Sequence, residues 1–377
     1  LFSTVLFSNC FVFHCFVFHC IVSHFSPGAC ADGFSRSDLE GDCDACPDIN
    51  WNIVRMTLGV VLGLTCLCVY NYLILSDNGD KDYCDALLSI GLGYYQIINL
   101  INRFPVAWPS AFKIVFDVAD VVTVLGKHFI NLKCILLQET SATVFYAKTV
   151  GWSLMPIVLV CLCVAVWYGI SLCRKVDNVK LKISTSIVGT LYLIYAGLLS
   201  AAFTLFSCTS VCNKYYLRAD PTEICFEGRH QVYLIVLGVP MILLYVIGLP
   251  LLALYKVKTM RTSHEKATPK HMHRVDSQGT MRPLKRSEMD NHIIYGLLYS
   301  SFREELWFWE LIVASRKVLL GGIAVFGSSM GQMQIHACTL IVMFLLLAQV
   351  FQQPYDGEMK VTLQRLEVTS LMLIWLT

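Results

Sequence analysis

The chain has 377 residues, of which 56% are hydrophobic and only 15% are charged. Soluble domains carry about a quarter charged residues, so this composition excludes an ordinary soluble globular protein. The formal net charge of +2 excludes the strongly basic balance that is typical of nucleic-acid-binding proteins. We therefore expect a membrane protein without a nucleic-acid partner.

The opening segment, residues 1–23, is apolar and repetitive. Residues 11–15 are followed at once by an identical copy at 16–20, each ending in His-Cys. A metal site from these side chains lacks the usual zinc spacing, and the pattern favours a signal-like or low-complexity segment. Because the chain starts at Leu1 and stops at Thr377 within an apolar run, we expect a fragment of a longer protein.

Residues 24–52 are predicted to lie outside the cytoplasm. This stretch contains six acidic residues and a single basic one, Arg36. Lys and Arg favour the cytoplasmic side of a membrane, so their near absence indicates an extracellular position, with the plasma membrane expected. Cys43 and Cys46 have the spacing of a redox motif, but no βαβ pattern surrounds them. We expect a structural disulfide framework here.

Eight apolar runs are candidates for membrane spans, which need about 20 mostly apolar residues. The predicted fold is an all-α polytopic transmembrane bundle in two parts, residues 53–255 and 304–377, separated by a basic cytoplasmic loop at 256–303. The runs are residues 54–75, 86–101, 150–173, 184–206, 232–255, 306–326, 335–351 and 361 onward.

The distribution of charge determines the expected topology. Basic residues cluster after the third run, at 174–182, and in the loop at 256–291, so both regions are predicted to lie inside. If the amino-terminal side is outside, a single crossing must separate the end of the first run from the start of the third. We assign that crossing to residues 86–101.

The segment at residues 112–125 is therefore expected to be an amphipathic outer helix that does not cross. Its Asp117 and Asp120 are three residues apart and share one helical face. These carboxylates are candidates for concentrating cations at an outer pore mouth. Trp108 precedes the segment beside a proline, which is typical of an aromatic belt at a membrane interface.

The same topology brings several cysteines to the outer side, where oxidising conditions favour disulfides. Cys84 is expected to lie inside and alone. Two disulfides could form among the cysteines of the later outer loops. The disulfide candidates are Cys30, Cys43, Cys46, Cys134, Cys208, Cys212 and Cys225.

The run at residues 232–255 carries two Gly-x-Pro interruptions. Gly238 precedes Pro240, and Gly248 precedes Pro250. Proline removes a backbone donor and leaves a carbonyl that neighbouring groups must satisfy. We therefore expect a kinked helix that is packed inside the bundle.

The run at 306–326 contains charged residues, which are costly inside a membrane and tend to face a cavity or a partner. Glu310 and Lys317 are seven residues apart and lie on nearly the same helical face, and Arg316 is adjacent. These three residues are pore or gating candidates. The alternative is that both cations snorkel to the inner interface beside an aromatic belt of Trp307 and Trp309.

The sequence contains no catalytic signature. It has no Gly-x-Ser-x-Gly, no phosphate-binding loop, no dinucleotide fingerprint and no His-Glu-x-x-His. We therefore expect neither an enzymatic activity nor a cofactor or resident metal.

Several short motifs follow one another in a characteristic order from about Asp42 to the end of the chain. They are the Cys43–Cys46 stretch, Gln96, Trp108-Pro109, Gly248-Leu249-Pro250, Tyr299, Phe302-Arg303, Trp307-Phe308-Trp309-Glu310, Arg316-Lys317 and Gln353-Pro354-Tyr355. This order resembles the transient-receptor-potential-like membrane region of fungal and protist proteins. In many protist members that region follows cysteine-rich ephrin-receptor-like repeats.

The resemblance implies a cation channel that is calcium-permeable or mechanically responsive. Two other functions remain open, namely a non-conducting receptor or adhesion anchor and a lipid scramblase or transporter. Membrane lipids and cations are the expected partners, and a homo-oligomer is compatible with each of the three functions.

Overall fold

The computed structural model describes residues 34–36, 43–46, 48–75, 81–102, 108, 112, 114–116, 118–119, 141–211, 214–267, 294–299, 301–356 and 360–376. This part of the chain is a helical bundle with two small antiparallel sheets. The segment 1–23, residues 268–293 of the predicted basic loop, Asp117, Asp120, Cys30, Cys134 and Cys212 lie outside the described residues.

The helices of the bundle have the following bounds. They are α1 (Ile49–Leu75), α2 (Lys81–Ile101), α3 (Ser141–Cys173), α4 (Val179–Leu205), α5 (Gly228–Tyr233), α6 (Leu249–Ala267), α7 (Trp309–Phe326), α8 (Gln332–Gln352) and α9 (Lys360–Leu376). Two π-helical segments, Leu234–Gly238 and Met241–Gly248, connect α5 to α6 as one continuous span. Short 3-10 turns, Glu304–Leu306 and Gly327–Met330, flank α7.

The strands form two antiparallel sheets. The first pairs β1 (Phe34–Arg36) with β2 (Cys43–Ala45). The second has the order β3-β4-β5, from β3 (Cys208–Val211), β4 (Lys214–Leu217) and β5 (Asp220–Ile224). We call this second sheet the outer hairpin sheet, because it follows α4 on the side predicted to be extracellular.

Six helices among the described residues are long and apolar enough to cross a membrane. They are Ile49–Leu75, Cys84–Ile101, Ala142–Cys173, Val179–Leu205, Gly228–Thr259 and Met333–Gln352. The prediction of a membrane-embedded helical bundle is confirmed, whereas the number of eight spans is not. Helices α7 and α9 form at the two remaining predicted positions, but they are not among these six.

Helix α4 lies at the centre of the bundle. It contacts α1, α2, α3, α7 and the second π-helical segment. Small residues permit this close packing: a Cβ atom at Gly197 would lie 2.6 Å from the Trp152 ring of α3, and one at Gly189 would lie 2.6 Å from Ile74 of α1. Small residues at helix contacts are typical of membrane proteins, since they let backbones approach.

The span Gly228–Thr259 lies at the periphery, so the prediction that it packs inside the bundle is wrong. Only 17% of its most apolar stretch is buried, and Leu243, Leu244 and Leu252 are exposed. The Gly-x-Pro interruptions do not force the helix inward, because local changes of backbone geometry absorb them.

Each Gly-x-Pro motif coincides with a π-helical segment. Leu234–Gly238 ends just before Pro240, and Met241–Gly248 ends just before Pro250. The Tyr195 hydroxyl of α4 donates a hydrogen bond to the Val246 carbonyl at 3.1 Å. A single neighbouring side chain therefore satisfies a carbonyl of the widened helix, and complete enclosure is unnecessary.

The three tryptophans predicted to form an aromatic belt at the membrane interface are buried or half-buried. Trp309 is buried with only 4% of its surface exposed, so its assignment to a lipid-facing belt is wrong. Trp307 and Trp108 are half-buried, and the Trp108 ring packs against Phe116. The belt prediction failed because a tryptophan pattern does not reveal which helical face meets a neighbour.

Other aromatic residues lie near the ends of the peripheral spans. Trp51 and Tyr72, near the two ends of α1, are 61% and 72% exposed. They are 21 residues apart in the sequence, which corresponds to about 32 Å along a helix and to the roughly 30 Å of a hydrocarbon core. Tyr168 of α3 and Tyr255 of α6 are also exposed.

Candidate functional site

The described bundle contains a group of buried polar side chains around residues 189–193 of α4. We call this group the polar cluster. Its members come from five helices and are Tyr70, Asn71, Ser89, Gln96, Tyr192, Glu310, Arg316, Lys317 and Glu367.

Arg316 of α7 forms a buried ion pair with Glu367 of α9. Its Nη1 atom donates a hydrogen bond to Glu367 Oε1 at 2.7 Å. The two side chains are 7% and 4% exposed. Such charge-assisted hydrogen bonds are short and strong. This one joins α7 to α9 through two residues that are 51 positions apart in the sequence.

Lys317, the next residue of α7, is 1% exposed. Its Nζ atom lies 4.6 Å from the centroid of the Tyr192 ring of α4, in a cation–π contact. The Tyr192 hydroxyl and the Ser89 Oγ of α2 are hydrogen-bonded at 2.8 Å. Lys317 therefore connects α7 with α4, and through Tyr192 with α2.

Glu310 lies in the first turn of α7, where the positive end of the helix dipole favours an acidic side chain. Its charge interacts electrostatically with those of Lys317 and Arg316. Its Oε2 atom is buried without a hydrogen-bond partner. Glu310 thus compensates the charge of Lys317 while one of its oxygens stays unsatisfied.

Helix α2 presents Ser89, Gly93 and Gln96 toward α4 and α7. Gln96 is fully buried, and its Nε2 donates hydrogen bonds to the backbone carbonyls of Tyr192 at 3.2 Å and Leu193 at 2.9 Å. A Cβ atom at Gly93 would lie 3.6 Å from Arg316 Nη2. The missing side chain at this position makes room for the guanidinium group.

Helix α1 completes the cluster with two adjacent residues. Asn71 Nδ2 donates to the Leu67 carbonyl at 2.9 Å and to Thr190 Oγ1 at 3.4 Å. The Tyr70 hydroxyl is buried without a hydrogen-bond partner and would lie 3.8 Å from a Cβ atom at Gly189. Both residues therefore reach the same stretch of α4.

The structure brings the predicted residues Glu310, Arg316 and Lys317 together. Arg316 and Lys317 are buried among helices, so the prediction that they snorkel to the interface is wrong. A helical residue snorkels when its stem can follow a lipid-facing surface. Here α2 and α4 pack against α7, and Glu367 of α9 binds Arg316.

Several members of the cluster were not selected from the sequence as site residues. The acidic Glu367 lies inside an apolar run, and this is the signal that could have identified it. Tyr70 and Ser89 gave no such signal, because Ser and Tyr in spans commonly make interhelical hydrogen bonds. Their role depends on the packing of helices that are distant in the sequence.

Two motifs beside the cluster also meet in space. Phe302 pairs with Tyr355 through an isolated β-bridge, and their rings lie 5.5 Å apart. The backbone N–H of Arg303 donates to the Pro354 carbonyl at 2.8 Å. The entry to α7 is thus joined to the turn between α8 and α9.

The disulfide prediction is confirmed for one pair, because Cys208 and Cys225 are joined. Cys46 also takes part in a disulfide. Cys84 is an exposed free thiol. The Cys208–Cys225 bridge connects the start of β3 with the residue after β5 and so closes the outer hairpin sheet.

His230 lies beside this disulfide, and the three side chains form a compact group. The Phe226 N–H donates to His230 Nδ1 at 3.0 Å, so Nε2 carries the proton and donates to the Leu205 carbonyl at 3.1 Å. Because the two sulfurs are joined and both ring nitrogens are hydrogen-bonded, this arrangement serves structure rather than metal binding.

The outer hairpin sheet and the residues that directly flank it contact the ends of several helices. Ser207 Oγ donates to the Val325 carbonyl near the end of α7 at 3.3 Å. Arg229 forms an ion pair with Glu223 and lies 5.2 Å from the ring of Tyr146 in α3. The Tyr146 ring stacks on Tyr233 of α5 at 4.1 Å. A displacement of this sheet would therefore reach α3, α4, α5 and α7.

No family model and no solved structure matches the chain. The chain is 20% identical over 426 aligned positions to Cysteine repeat modular protein A of Toxoplasma gondii. The alignment covers 92% of this chain and 13% of that protein. The chain thus spans about an eighth of the length of this curated relative.

Proposed function

We propose that this chain forms the membrane part of a gated cation channel. The observation that carries the proposal is the set of ion-paired and cation–π-bonded charges on α7, buried between α4 and α9. A charge inside a membrane helix costs about 2.5–3.5 kcal/mol on insertion scales. Such charges commonly mark ion pathways or elements that move during gating.

The proposal includes eight membrane spans, with α7 and α9 crossing in addition to the six apolar helices. Helix α7 contacts α2, α4 and α8, and α9 contacts α2 and α8. Because these neighbours separate the charged faces from lipid, α7 and α9 do not need to be apolar all round. The proposal also includes an amino-terminal side outside a plasma membrane, which the charge distribution suggests.

In this proposal α7 is the moving element. The Arg316–Glu367 pair joins α7 to α9, and the Lys317–Tyr192 contact joins it to α4. A shift of α7 along its axis would exchange these partners between two discrete arrangements, as packed interfaces do during switching. Membrane tension, voltage and calcium are the candidate stimuli, and assembly into a homo-oligomer belongs to the same proposal.

The proposal is tested by patch recording from the purified protein in liposomes. We expect cation currents that respond to at least one of the three stimuli. Lys317→Met removes the charge of the α7–α4 contact and should shift the stimulus dependence of opening. Lys180→Met serves as the control, because Lys180 is exposed at the start of α4. The absence of current under tension, voltage and calcium would contradict the proposal.

A second candidate function is a non-conducting membrane anchor for a cysteine-rich outer region. It is favoured by the match to a protein named for its cysteine repeats, of which this chain covers 13%. The disulfide-closed outer hairpin sheet, which contacts α3 and α5, suits such an anchor. Crosslinking from Lys214, which is exposed on this sheet, would recover an outer partner if the anchor function is correct.

A further inference from the structure

The connection between α3 and α4 carries basic residues that have no acidic partner. It consists of residues 174–178 and includes Arg174 and Lys175, while Lys182 lies near the start of α4. Arg174 and Lys175 are exposed, and Lys182 is half-buried. None of the three forms an ion pair within the described part of the chain, although Asp177 lies between them in the sequence. Their charges therefore remain available to an anion from outside the protein.

The ammonium group of Lys182 is held in place by an aromatic ring. Its Nζ atom lies 5.5 Å from the centroid of the Trp167 ring of α3. Trp167 Nε1 donates a hydrogen bond to Ser186 Oγ of α4 at 3.0 Å, and Ser186 is buried, so the ring is fixed against α4. An aromatic ring attracts a cation but has no net charge. The contact thus positions Lys182 and leaves its positive charge uncompensated.

These cations lie at the depth that lipid headgroups occupy. Tryptophan is enriched at the interface between membrane and water, and Trp167 is near the end of an apolar span. Arg174 follows it seven positions later, which corresponds to about 10 Å along a helix. The headgroup region extends about 5–8 Å beyond the hydrocarbon core on each side. With Trp167 at the edge of the hydrocarbon, Arg174 and Lys175 reach the level of the lipid phosphates.

The surface of α3 next to these cations is apolar and faces outward. Tyr168 and Leu172 are 57% and 88% exposed, and only 11% of the most apolar stretch of α3 is buried. Lipid tails can pack on such a surface while the headgroup contacts the basic residues above it. A phospholipid therefore fits both the charge and the apolar surface at this end of α3.

We propose that Arg174, Lys175 and Lys182 bind the headgroup of an anionic phospholipid, whose tails lie on the exposed surface of α3. Three positive charges without acidic partners favour a headgroup with a net negative charge over a zwitterionic one. The residues lie on the side predicted to be cytoplasmic, and the cytoplasmic leaflet is the one that carries anionic lipids. This binding site does not depend on whether the chain conducts ions.

Native mass spectrometry of the purified protein in detergent measures lipid binding directly. The probes are phosphatidylglycerol, which is anionic, and phosphatidylcholine, which is zwitterionic, with identical acyl chains. We expect the Kd for phosphatidylglycerol to be at least about tenfold lower than that for phosphatidylcholine. Equal Kd values for the two lipids would overturn the proposal.

A pair of double variants separates this site from general surface charge. Arg174→Gln with Lys175→Gln removes two charges of the site and should raise the Kd for phosphatidylglycerol at least about tenfold. Lys256→Gln with Lys258→Gln is the matched control, because it removes two exposed charges near the end of the neighbouring apolar span, on the same predicted side. The control should leave the Kd nearly unchanged. An equal increase in both double variants would overturn the proposal.

Single variants test the ammonium group that Trp167 positions. Lys182→Gln should raise the Kd for phosphatidylglycerol about fivefold, the effect of one charge near an anionic surface, whereas Lys182→Arg keeps the charge and should preserve binding. Lys180 is exposed and lies two residues earlier, hence on the opposite face of α4, so Lys180→Gln should have no effect. Thermal unfolding confirms that each variant is folded. Equal effects of Lys182→Gln and Lys180→Gln would overturn the proposal.

Soluble glycerol phosphate distinguishes a lipid from a free phosphate as the ligand. It carries the phosphate without the tails that would contact Tyr168 and Leu172. We therefore expect it not to displace phosphatidylglycerol at an equal concentration. Displacement under these conditions would show that the residues bind a free phosphate and would overturn the lipid proposal.

Discussion

At the scale of single residues, the buried charges of this bundle are held by specific partners. The Arg316–Glu367 pair is almost completely excluded from solvent. Taking two charges out of water is costly, and the attraction between them offsets this cost only when the geometry is good. The pair therefore stabilises one particular position of α7 against α9 and contributes less to overall stability than its short distance suggests.

The pair makes a prediction about single and double substitutions. Arg316→Gln leaves the Glu367 carboxylate buried without its partner and should lower the free energy of unfolding by about 3–5 kcal/mol. The double variant Arg316→Gln with Glu367→Gln should recover most of the loss, because neither charge then remains. Thermal unfolding in detergent measures both.

Arg365→Gln is the matched control, since Arg365 is exposed on α9 two residues before Glu367. It should change the unfolding temperature little. If the effects of Arg316→Gln and Glu367→Gln simply add in the double variant, the two side chains are not energetically coupled.

At the scale of elements, two features determine how the helices fit together. Helix α4 packs closely on its neighbours through small residues, of which Gly197 against Trp152 is the clearest case. Glu223 of the outer hairpin sheet binds Tyr146 of α3 and Arg229 of α5, and the flanking residues Ser207 and His230 bind carbonyls near the ends of α7 and α4. The close packing of α4 depends on the absence of a side chain at its glycines. The outer hairpin sheet depends on the covalent Cys208–Cys225 bridge.

Gly197→Ala tests the close packing of α4. The added Cβ atom would lie 2.6 Å from the Trp152 ring, so α3 and α4 must separate, and we expect a loss of about 1–3 kcal/mol in stability. Gly169→Ala on α3 is the control, because nothing lies within 4 Å of that position. A similar unfolding temperature for the two variants would contradict the close packing at Gly197.

Replacing Cys208 and Cys225 together by serine tests the outer hairpin sheet. The bridge closes a loop with a sequence separation of 17 residues, and its loss should cost about 3 kcal/mol. Thermal unfolding without a reductant measures this difference. Cys84→Ser, at an exposed free thiol, should have no such effect. With a reductant present, the wild-type protein should unfold at the temperature of the double variant, and a persisting difference would contradict this account.

At the scale of the whole molecule, the helices differ in how apolar they are and in how much of each is buried. Helix α4 is 67% buried over its most apolar stretch, whereas α3 is only 11% buried although it is more apolar. The bundle thus places its most apolar helices toward lipid and reserves the less apolar ones for the interior. This arrangement is expected in a membrane because apolar side chains are stable in contact with lipid tails, whereas polar groups are not.

The proposed topology makes a prediction about native thiols. Cys84 near the start of α2 and Cys173 at the end of α3 are free and exposed, and both should face the cytoplasm. A membrane-impermeant maleimide should label them only after intact cells are permeabilised, as read by peptide mapping. Cys208 and Cys225 should be labelled without permeabilisation once a reductant is added. Labelling of Cys173 in intact cells would reverse the proposed orientation.

Much of the fold could be predicted from residues that are near one another in the sequence. Runs of apolar residues determine where helices such as Ile49–Leu75 form, because a helix in lipid satisfies its own backbone. Cys208 and Cys225 were among the predicted disulfide candidates, since they lie in a loop on the side opposite to the basic loops in the predicted topology. Glu310, Arg316 and Lys317 were selected because charges are rare in apolar runs.

The tertiary structure alone decided which faces meet. It buried Trp309 and the two cations of α7, moved the Gly-x-Pro helix to the periphery, and assembled Tyr70, Asn71, Ser89 and Gln96 around one stretch of α4. The physical reason is that both the lipid-facing and the inward-facing sides of a membrane helix can be apolar, so the sequence of one helix does not reveal which of its faces meets a neighbour. Composition determines that this chain lies in a membrane, and contacts between distant helices determine where its polar groups gather.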